Sequence, residues 1–141
     1  MRRNAITVKG KVFSGRGEGA FYVSIYAKQF EAAIGYRPYP GTLNIMLDDE
    51  DAVKLDKCLK TLKPIIVEPP KIEGARLGGV YLYPARVYKD LNSRDVYIVR
   101  PMITHYKINV VELLSNVYLR GMLNVVDGDE VTVEVSCAPT S

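Results

Sequence analysis

The chain contains many short β-prone runs with turn signals between them, and this alternation restricts the fold more than any other feature of the sequence. The runs are residues 6–13, 21–26, 43–47, 64–69, 80–88, 96–99 and 130–135. Helices are predicted only at 28–34, 51–62 and 110–116. A parallel doubly wound sheet needs a helix between most of its strands and is therefore excluded. The pattern predicts a mainly β protein, a small closed or nearly closed barrel of about six strands with two or three short peripheral helices.

One proline gives a more local prediction. Pro84 lies inside the β-prone run 80–88 and has no amide hydrogen to donate to a neighbouring strand. We therefore expect Pro84 at a sheet edge or at a bulge.

Length and composition limit the class of protein. The chain of 141 residues fits one domain, residues 1–141, with 48% hydrophobic and 25% charged residues. Its 19 basic and 16 acidic residues are scattered, which allows a polyanionic ligand but does not argue for nucleic acid. No apolar stretch approaches the ~20 residues of a membrane helix, and the N-terminus lacks a secretory pattern. We expect a cytoplasmic monomer that does not bind membranes.

The two cysteines give no sign of a metal or redox site. Cys58 and Cys137 are far apart, with no CxxC motif and no histidine-rich neighbourhood. We expect them to be small buried hydrophobic residues or free thiols.

A turn marked by Pro38, Pro40 and Gly41 leads into the run 43–47. Side chains alternate along a strand, so Thr42 and Asn44 point to the same side. A hydroxyl and an amide oxygen side by side suit a hard cation such as Mg²⁺, which takes few protein ligands and completes its shell with water and phosphates. The alternative is that Thr42 closes a turn and Asn44 is a solvated strand residue.

A glycine-rich segment precedes this turn. Residues 14–19 read Ser-Gly-Arg-Gly-Glu-Gly. Glycines at this spacing permit positive φ, so that successive N–H groups can converge on an anion such as a phosphate. No Lys-Ser/Thr pair follows, which excludes a Walker A loop, and a strand is predicted next, which excludes a dinucleotide-binding turn. The alternative is a glycine-rich hairpin connection.

No catalytic triad, HExxH or paired-carboxylate motif is present. The lone histidine, His105, is more typical of a hydrogen-bonding spacer than of a general base. Glu112 has a structural explanation, because Asn109-x-x-Glu112 matches a capping box at the start of the predicted helix 110–116. Arg120 could bind a phosphate or a carboxylate.

These segments taken together, in order, carry a resemblance. GxGEG, then PYxGTLN, then Thr104, Glu112 and the segment VYLR resemble the archaeal-type CTP-dependent riboflavin kinases over nearly the whole chain. Members of that family are single-domain, six-stranded cradle-loop barrels that phosphorylate riboflavin to FMN with CTP in place of ATP. The resemblance therefore implies riboflavin and CTP as substrates, FMN and CDP as products, and Mg²⁺ as cofactor.

The resemblance also implies roles for individual residues. The nucleotide phosphates would be surrounded by Gly15, Arg16, Gly17, Glu18, Gly19 and Ala20. The cytidine pocket would be lined by Val117, Tyr118, Leu119 and Arg120. Thr42 and Asn44 would bind Mg²⁺, and Thr104 and Glu112 would contact the flavin. Glu112 is also the one carboxylate expected to orient the accepting hydroxyl or act as a weak base. The match is incomplete: Ala20 stands after the glycine-rich segment where a member of the family has a basic residue, and residues 48–79 match poorly.

Two rival hypotheses remain at this stage. One is a non-catalytic barrel that binds nucleic acid or protein, for which Arg2, Arg3, Lys9 and Lys11 offer only a sparse basic stripe. The other is a kinase of the same fold that uses another alcohol acceptor or another nucleotide donor.

Overall fold

Six antiparallel strands close into a barrel in this structure, a computed structural model that describes residues 4–15, 18–102 and 107–138. The strands are β1 (Asn4–Phe13), β2 (Leu43–Leu47), β3 (Ile65–Val67), β4 (Val80–Lys89), β5 (Asn92–Pro101), β6 (Val110–Leu114) and β7 (Glu130–Cys137). The helices are α1 (Glu18–Ile25), α2 (Ala27–Ile34), α3 (Asp49–Leu59) and α4 (Leu119–Leu123). The strand order is β3-β4-β5-β6-β2-β1-β7, and pairing of β4 with β7 closes the ring and leaves β3 outside. The predicted mainly β, six-stranded barrel is confirmed, with four short helices among the described residues.

The barrel interior is filled by alternate residues of each strand. On β7, for example, Val131, Val133 and Val135 are buried, while the residues between them are more exposed. α3 and α4 add Leu55 and Leu123 to the same core. Each fully buried Val or Leu contributes about 1.5–3 kcal/mol, so this alternation fixes which face of every strand points outward.

A second core lies on the outer face of the barrel. Leu82, Val99 and Leu114 from β4, β5 and β6 pack there against Val23 of α1 and Phe30 of α2. α1 is thereby held across the outside of the sheet, next to the outward-facing residues of β6. This packing positions the site described below.

The prediction of a strand at 21–26 is wrong, because these residues belong to α1 and its junction with α2. The segment is rich in aromatic and β-branched residues, which favour strands by propensity. Burial of Val23 and Tyr26 in the second core, with a Tyr22–Tyr26 ring stack at 4.2 Å, outweighs that propensity. The Ser24 hydroxyl also donates to the Ala20 carbonyl at 2.8 Å, one helical turn back.

The prediction of a helix at 110–116 is also wrong, and with it the capping box. Val110–Leu114 is the strand β6, paired with β2 on one side and β5 on the other. Asn109 does not cap a helix, because its Nδ2 donates to the Leu47 carbonyl at 3.1 Å and to Asp49 Oδ1 at 2.9 Å. Ladders on both sides and burial of Val111, Leu113 and Leu114 stabilise this segment as a central strand, and these partners are distant in sequence.

The expectation that the two cysteines are unpaired is also wrong. Cys58 and Cys137 are buried as expected, but they form a disulfide that joins α3 to β7 rather than free thiols. Their separation of 79 residues gives no local motif, and only the packing of α3 against β7 brings them together.

Pro84 lies where β4 has one neighbour. It is opposite Tyr97 of β5, while on its other side the pairing with β3 ends at Leu82 and the pairing with β7 begins at Arg86. The expected edge position is confirmed.

Candidate active site

Three polar side chains meet on the outer face of the barrel where β2 and β6 pair. Asn44 of β2 is directly opposite Glu112 of β6, and Thr42 immediately precedes β2. The Thr42 hydroxyl donates to Glu112 Oε1 at 3.0 Å, and Thr42 Oγ1 lies 3.5 Å from Asn44 Oδ1. All three residues are half-buried. The structure thus brings together the two predicted metal ligands and the predicted catalytic carboxylate.

The ends of the glycine-rich segment approach the same side chains. A Cβ on Gly15 would come 2.7 Å from Asn44 Nδ2, and a Cβ on Gly19 would come 2.6 Å from Thr42 Oγ1 and 3.7 Å from Glu112 Oε1. A Cβ at either position would therefore force the facing Asn44 or Thr42 side chain to move. Arg16 and Gly17, also predicted to bind the nucleotide, lie outside the described residues.

A depression of about 210 Å³, which we call the central hollow, forms between these segments. It is lined by Ser14, Gly15, Gly19, Ala20, Gly41, Thr42, Asn44 and Arg120. The helix α1 begins at Glu18, so its first turn forms part of the wall. The first N–H groups of a helix have no hydrogen-bond partner within the helix and favour anions. A strand was predicted at 21–26, and the helix found in its place offers such N–H groups to a phosphate at the wall of the hollow.

A second depression, the tyrosine cleft, adjoins the central hollow. It has a volume of about 190 Å³ and shares Gly41, Thr42 and Arg120 with the hollow. Its remaining lining residues are Tyr39, Pro40, Leu43, Ser115, Val117, Tyr118 and Leu119. The predicted segment 117–120 therefore lines one cleft as a unit. The rings of Tyr39 and Tyr118 lie 5.2 Å apart, and the sequence analysis had not singled out Tyr39.

A third depression, the apolar cleft, opens on the other side of Glu112. It has a volume of about 290 Å³ and is lined by Gly19, Phe21, Tyr22, Val80, Val99, Pro101 and Glu112. The Phe21 side chain is 71% exposed at this cleft. Burial, with smaller contributions from Tyr26 and Glu112, raises the pKa of the Tyr22 hydroxyl. Thr104, predicted to contact flavin, and His105 lie outside the described residues.

Arg120 binds a carboxylate at the rim of the central hollow. Its Nη2 donates to Asp127 Oδ1 at 2.7 Å, and to the Ser14 hydroxyl and the Phe13 carbonyl at 3.2 Å each. The Ser14 hydroxyl donates to Asp127 in turn, at 2.7 Å to Oδ2. The Ser14 hydroxyl and then the Arg120 guanidinium lower the pKa of Asp127 by stabilising its ionised form. In the sequence, Asp127-Gly128-Asp129 is typical only of a turn.

The oxygen atoms of this site fit a magnesium ion. Thr42 Oγ1 and Asn44 Oδ1 are 3.5 Å apart, and neighbouring ligands of an octahedral Mg²⁺ with bonds of about 2.1 Å lie roughly 3 Å apart. Glu112 adds negative charge 3.0 Å from Thr42 Oγ1. Within the described ranges, no group of three or more His, Cys, Asp or Glu side chains could hold a metal. A metal at this site would therefore depend on the hydroxyl and amide oxygens.

Comparison with known proteins gives a consistent result. The family model CTP-dep_RFKase, described as the domain of unknown function DUF120, matches residues 12–135. A riboflavin kinase of Aeropyrum pernix is 46% identical over 87% of this chain and 90% of its own length. Riboflavin kinases of Ignicoccus hospitalis and Archaeoglobus fulgidus are 41% and 40% identical, each over 92% of this chain. The match covers 71% of the Ignicoccus protein and 54% of the Archaeoglobus protein.

The barrel, the site on its outer face and these relatives define a kinase. The match to the family model extends over most of the chain and includes every strand that lines the site. The chain belongs to the CTP-dependent riboflavin kinase family. Among the described residues, no helix has the length and apolar character needed to cross a membrane.

Proposed function

We propose that this protein transfers the γ-phosphate of CTP to the ribityl 5′-hydroxyl of riboflavin and releases FMN and CDP. The observation that carries the proposal is the continuity of the three depressions. The tyrosine cleft and the central hollow share Thr42, and Thr42 is hydrogen-bonded to Glu112, which lines the apolar cleft. A nucleoside, a polyphosphate and a flat apolar acceptor can thus bind in sequence along one face.

The nucleotide would occupy the tyrosine cleft and the central hollow. Cytidine fits the cleft lined by Val117, Tyr118 and Leu119, where aromatic rings can stack on a base. The triphosphate fits the hollow, because Gly15 and Gly19 have no side chain to obstruct it and the first turn of α1 offers N–H groups.

Thr42 and Asn44 would hold Mg²⁺ beside the triphosphate. The ion would offset the negative charge that builds up on the phosphate oxygens during transfer. The Thr42–Glu112 hydrogen bond keeps the Thr42 hydroxyl hydrogen away from the hollow and leaves its lone pairs for a cation.

Riboflavin would enter the apolar cleft with its ribityl chain directed toward Glu112. Phe21, Val99 and Pro101 provide an apolar surface for the isoalloxazine ring, and Thr104 would contact the flavin as the family resemblance implies. Glu112 lies between this cleft and the central hollow, so it can accept a hydrogen bond from the 5′-hydroxyl and aim that oxygen at the γ-phosphorus.

Little covalent chemistry is required of the protein. Phosphoryl transfer passes through a loose transition state, so catalysis depends mainly on positioning and on neutralising charge. Among the described residues, the site offers Glu112 as the one carboxylate placed between the two substrates, and we assign it the role of orienting acceptor or weak base.

The test is to incubate the protein with riboflavin, Mg²⁺ and CTP, ATP, GTP or UTP separately, and to quantify FMN by chromatography. A matched reaction with EDTA measures the dependence on a divalent cation. FMN formed with CTP and Mg²⁺ supports the proposal. FMN formed with ATP alone would show that ATP, and not CTP, is the donor. The absence of FMN with every donor would overturn the riboflavin assignment.

A further inference from the structure

One contact at the site is unexpected for a protein that binds a polyanion. Asp127 is ionised, its side chain is 55% exposed, and it lies beside the rim of the hollow proposed for the triphosphate. Like charges repel, so a carboxylate at this place would by itself oppose the binding of a polyanion. Asp127 does not itself line the central hollow, and Arg120 lies between its carboxylate and the hollow.

The geometry of Arg120 explains how the carboxylate can help. All hydrogen bonds of its guanidinium to described residues run from one terminal nitrogen, Nη2, and the side chain is 25% exposed. A guanidinium carries five N–H donors. Because neither Nη1 nor Nε bonds to a residue that the structure describes, both can bind another acceptor while Nη2 is fixed. Arg120 lines both the tyrosine cleft and the central hollow, so that acceptor would lie where base and phosphates meet.

The turn that carries Asp127 is itself firmly attached to the barrel. The Gly128 amide donates to the Val12 carbonyl at 2.8 Å, and the Val12 amide donates to the Asp129 carbonyl at 2.9 Å. Asp129 Oδ2 accepts from the Val126 amide at 2.9 Å. Gly128 has φ 93°, a conformation that favours glycine. Asp127 and Ser14 are thus held in place at the end of β1, where the glycine-rich segment begins.

We propose that Asp127 is a positioning residue for the nucleotide: together with Ser14 it fixes one end of the Arg120 guanidinium at the rim of the central hollow and leaves Nη1 and Nε to bind a phosphate. This inference rests on the proposed function only in assuming that a cytidine nucleotide occupies the hollow. In this role Asp127 does not contact the substrate. Its whole effect on the nucleotide passes through Arg120.

Isothermal titration of the full-length protein with CDP and Mg²⁺, and separately with cytidine, tests this assignment. Arg120→Ala should weaken CDP binding by about tenfold or more, because hydrogen bonds to charged groups are worth about 1.5–3 kcal/mol. Asp127→Asn should weaken it roughly twofold to fivefold, as expected for an exposed ion pair. Cytidine, which has no phosphate, should bind Asp127→Asn and the wild-type protein equally.

The double variant Arg120→Ala/Asp127→Asn separates a positioning role from a general structural one. If Asp127 acts through Arg120, the second substitution adds nothing to the loss caused by Arg120→Ala. Asp129→Asn is the matched control, because it removes a charge from the same turn that does not contact Arg120, while the amide oxygen of asparagine can still accept from the Val126 amide. This control should leave CDP affinity unchanged.

Three outcomes would overturn the inference. They are wild-type CDP affinity in Asp127→Asn, an equal loss of cytidine and CDP binding, and an additive loss in the double variant. None of these affects the riboflavin assignment, which depends on formation of FMN by the wild-type protein. A wild-type protein that forms FMN from CTP but shows any of these three results retains its proposed function and loses only this role of Asp127.

Discussion

The Thr42 hydroxyl donates to Glu112 Oε1 at 3.0 Å, across a distance of 70 residues in the chain. Thr42 belongs to the predicted metal pair, and Glu112 is the predicted acceptor for the substrate hydroxyl. Their hydrogen bond places the proposed metal site and the proposed acceptor site side by side. It also depends on β6 being a strand, because in the predicted helix Glu112 would turn back toward its own N-cap.

Glu112→Gln should lower kcat roughly a hundredfold, near the lower end of the range for a positioned acid or base. The amide oxygen of glutamine can still accept from Thr42, so the protein should fold normally and bind CDP with nearly wild-type affinity. Steady-state kinetics together with CDP titration measure the two effects. Unchanged turnover would exclude a role for Glu112 in the reaction.

Asn44→Ala should weaken nucleotide binding at least roughly tenfold in the presence of Mg²⁺, since residues that merely orient a metal ligand are already worth 10–100-fold. In EDTA the difference should largely disappear. Met46→Ala is a suitable control, because Met46 is two residues further along the same face of β2 and does not line the central hollow. Equal losses with and without Mg²⁺ would contradict a metal-binding role for Asn44.

Gly19→Ala should abolish most activity with little loss of stability. The added Cβ would lie 2.6 Å from Thr42 Oγ1 and would displace it from Asn44 and Glu112. Overpacking costs about 1–3 kcal/mol, and the better helix propensity of alanine, up to ~1 kcal/mol, offsets part of it. The midpoint of thermal unfolding should therefore change little, while the rate of FMN formation should fall sharply. Ser24→Ala is the control, because Ser24 lies on the exposed side of α1, and it should retain activity. Wild-type activity in Gly19→Ala would contradict the inferred close approach of Gly19 to Thr42.

Reduction of the Cys58–Cys137 disulfide should destabilise the protein without changing the site. In the chain-entropy model, a disulfide that closes a loop of 79 residues raises the free energy of unfolding by about 4.5 kcal/mol. Urea unfolding with and without a reductant measures the loss. The Cys58→Ser/Cys137→Ser variant should match the reduced wild-type protein and be insensitive to reductant. A wild-type midpoint that does not respond to reductant would show that the bond contributes nothing.

The lowered pKa of Asp127 predicts a contribution to stability that depends on pH. A carboxyl whose pKa is lower in the folded state stabilises the fold above its unfolded pKa of about 3.9, and this contribution is lost as pH falls through the folded value. The difference in urea midpoint between wild type and Asp127→Asn should therefore be largest near neutral pH and shrink below about pH 4. High salt should also reduce it, because the pair with Arg120 is partly exposed. A difference that grows toward acid pH would contradict this assignment.

Local sequence patterns predicted the barrel well, because the number of short alternating runs and the scarcity of helices do not depend on how the runs are arranged. Strands such as β2 and β7 and the helix α2 follow from alternation, turn residues and the glycine that ends α2. The same patterns failed for α1 and β6. Aromatic and β-branched residues favour a strand for α1, and a capping-box match favours a helix for β6, but the partners that reverse both preferences are distant in sequence.

The candidate site was predicted in part. Thr42, just before β2, and Asn44, within it, point to the same side because they are two residues apart in the chain that leads into the strand, and the glycines of the loop identify a close approach. Asp127 carried no signal, since it lies in an ordinary turn sequence and acts by contact with Arg120. Tyr39 likewise joins the tyrosine cleft only through its packing against Tyr118.

The sequence by itself determined the fold class, the neutral oxygen pair and the glycine-rich segment, because each depends on residues close together in the chain. Tertiary structure decided that Glu112 lies opposite Asn44, that α1 begins at the wall of the hollow, and that Cys58 meets Cys137. These relationships join residues dozens of positions apart. They arise from strand register and from burial of two separate cores, and neither is encoded in any single short segment.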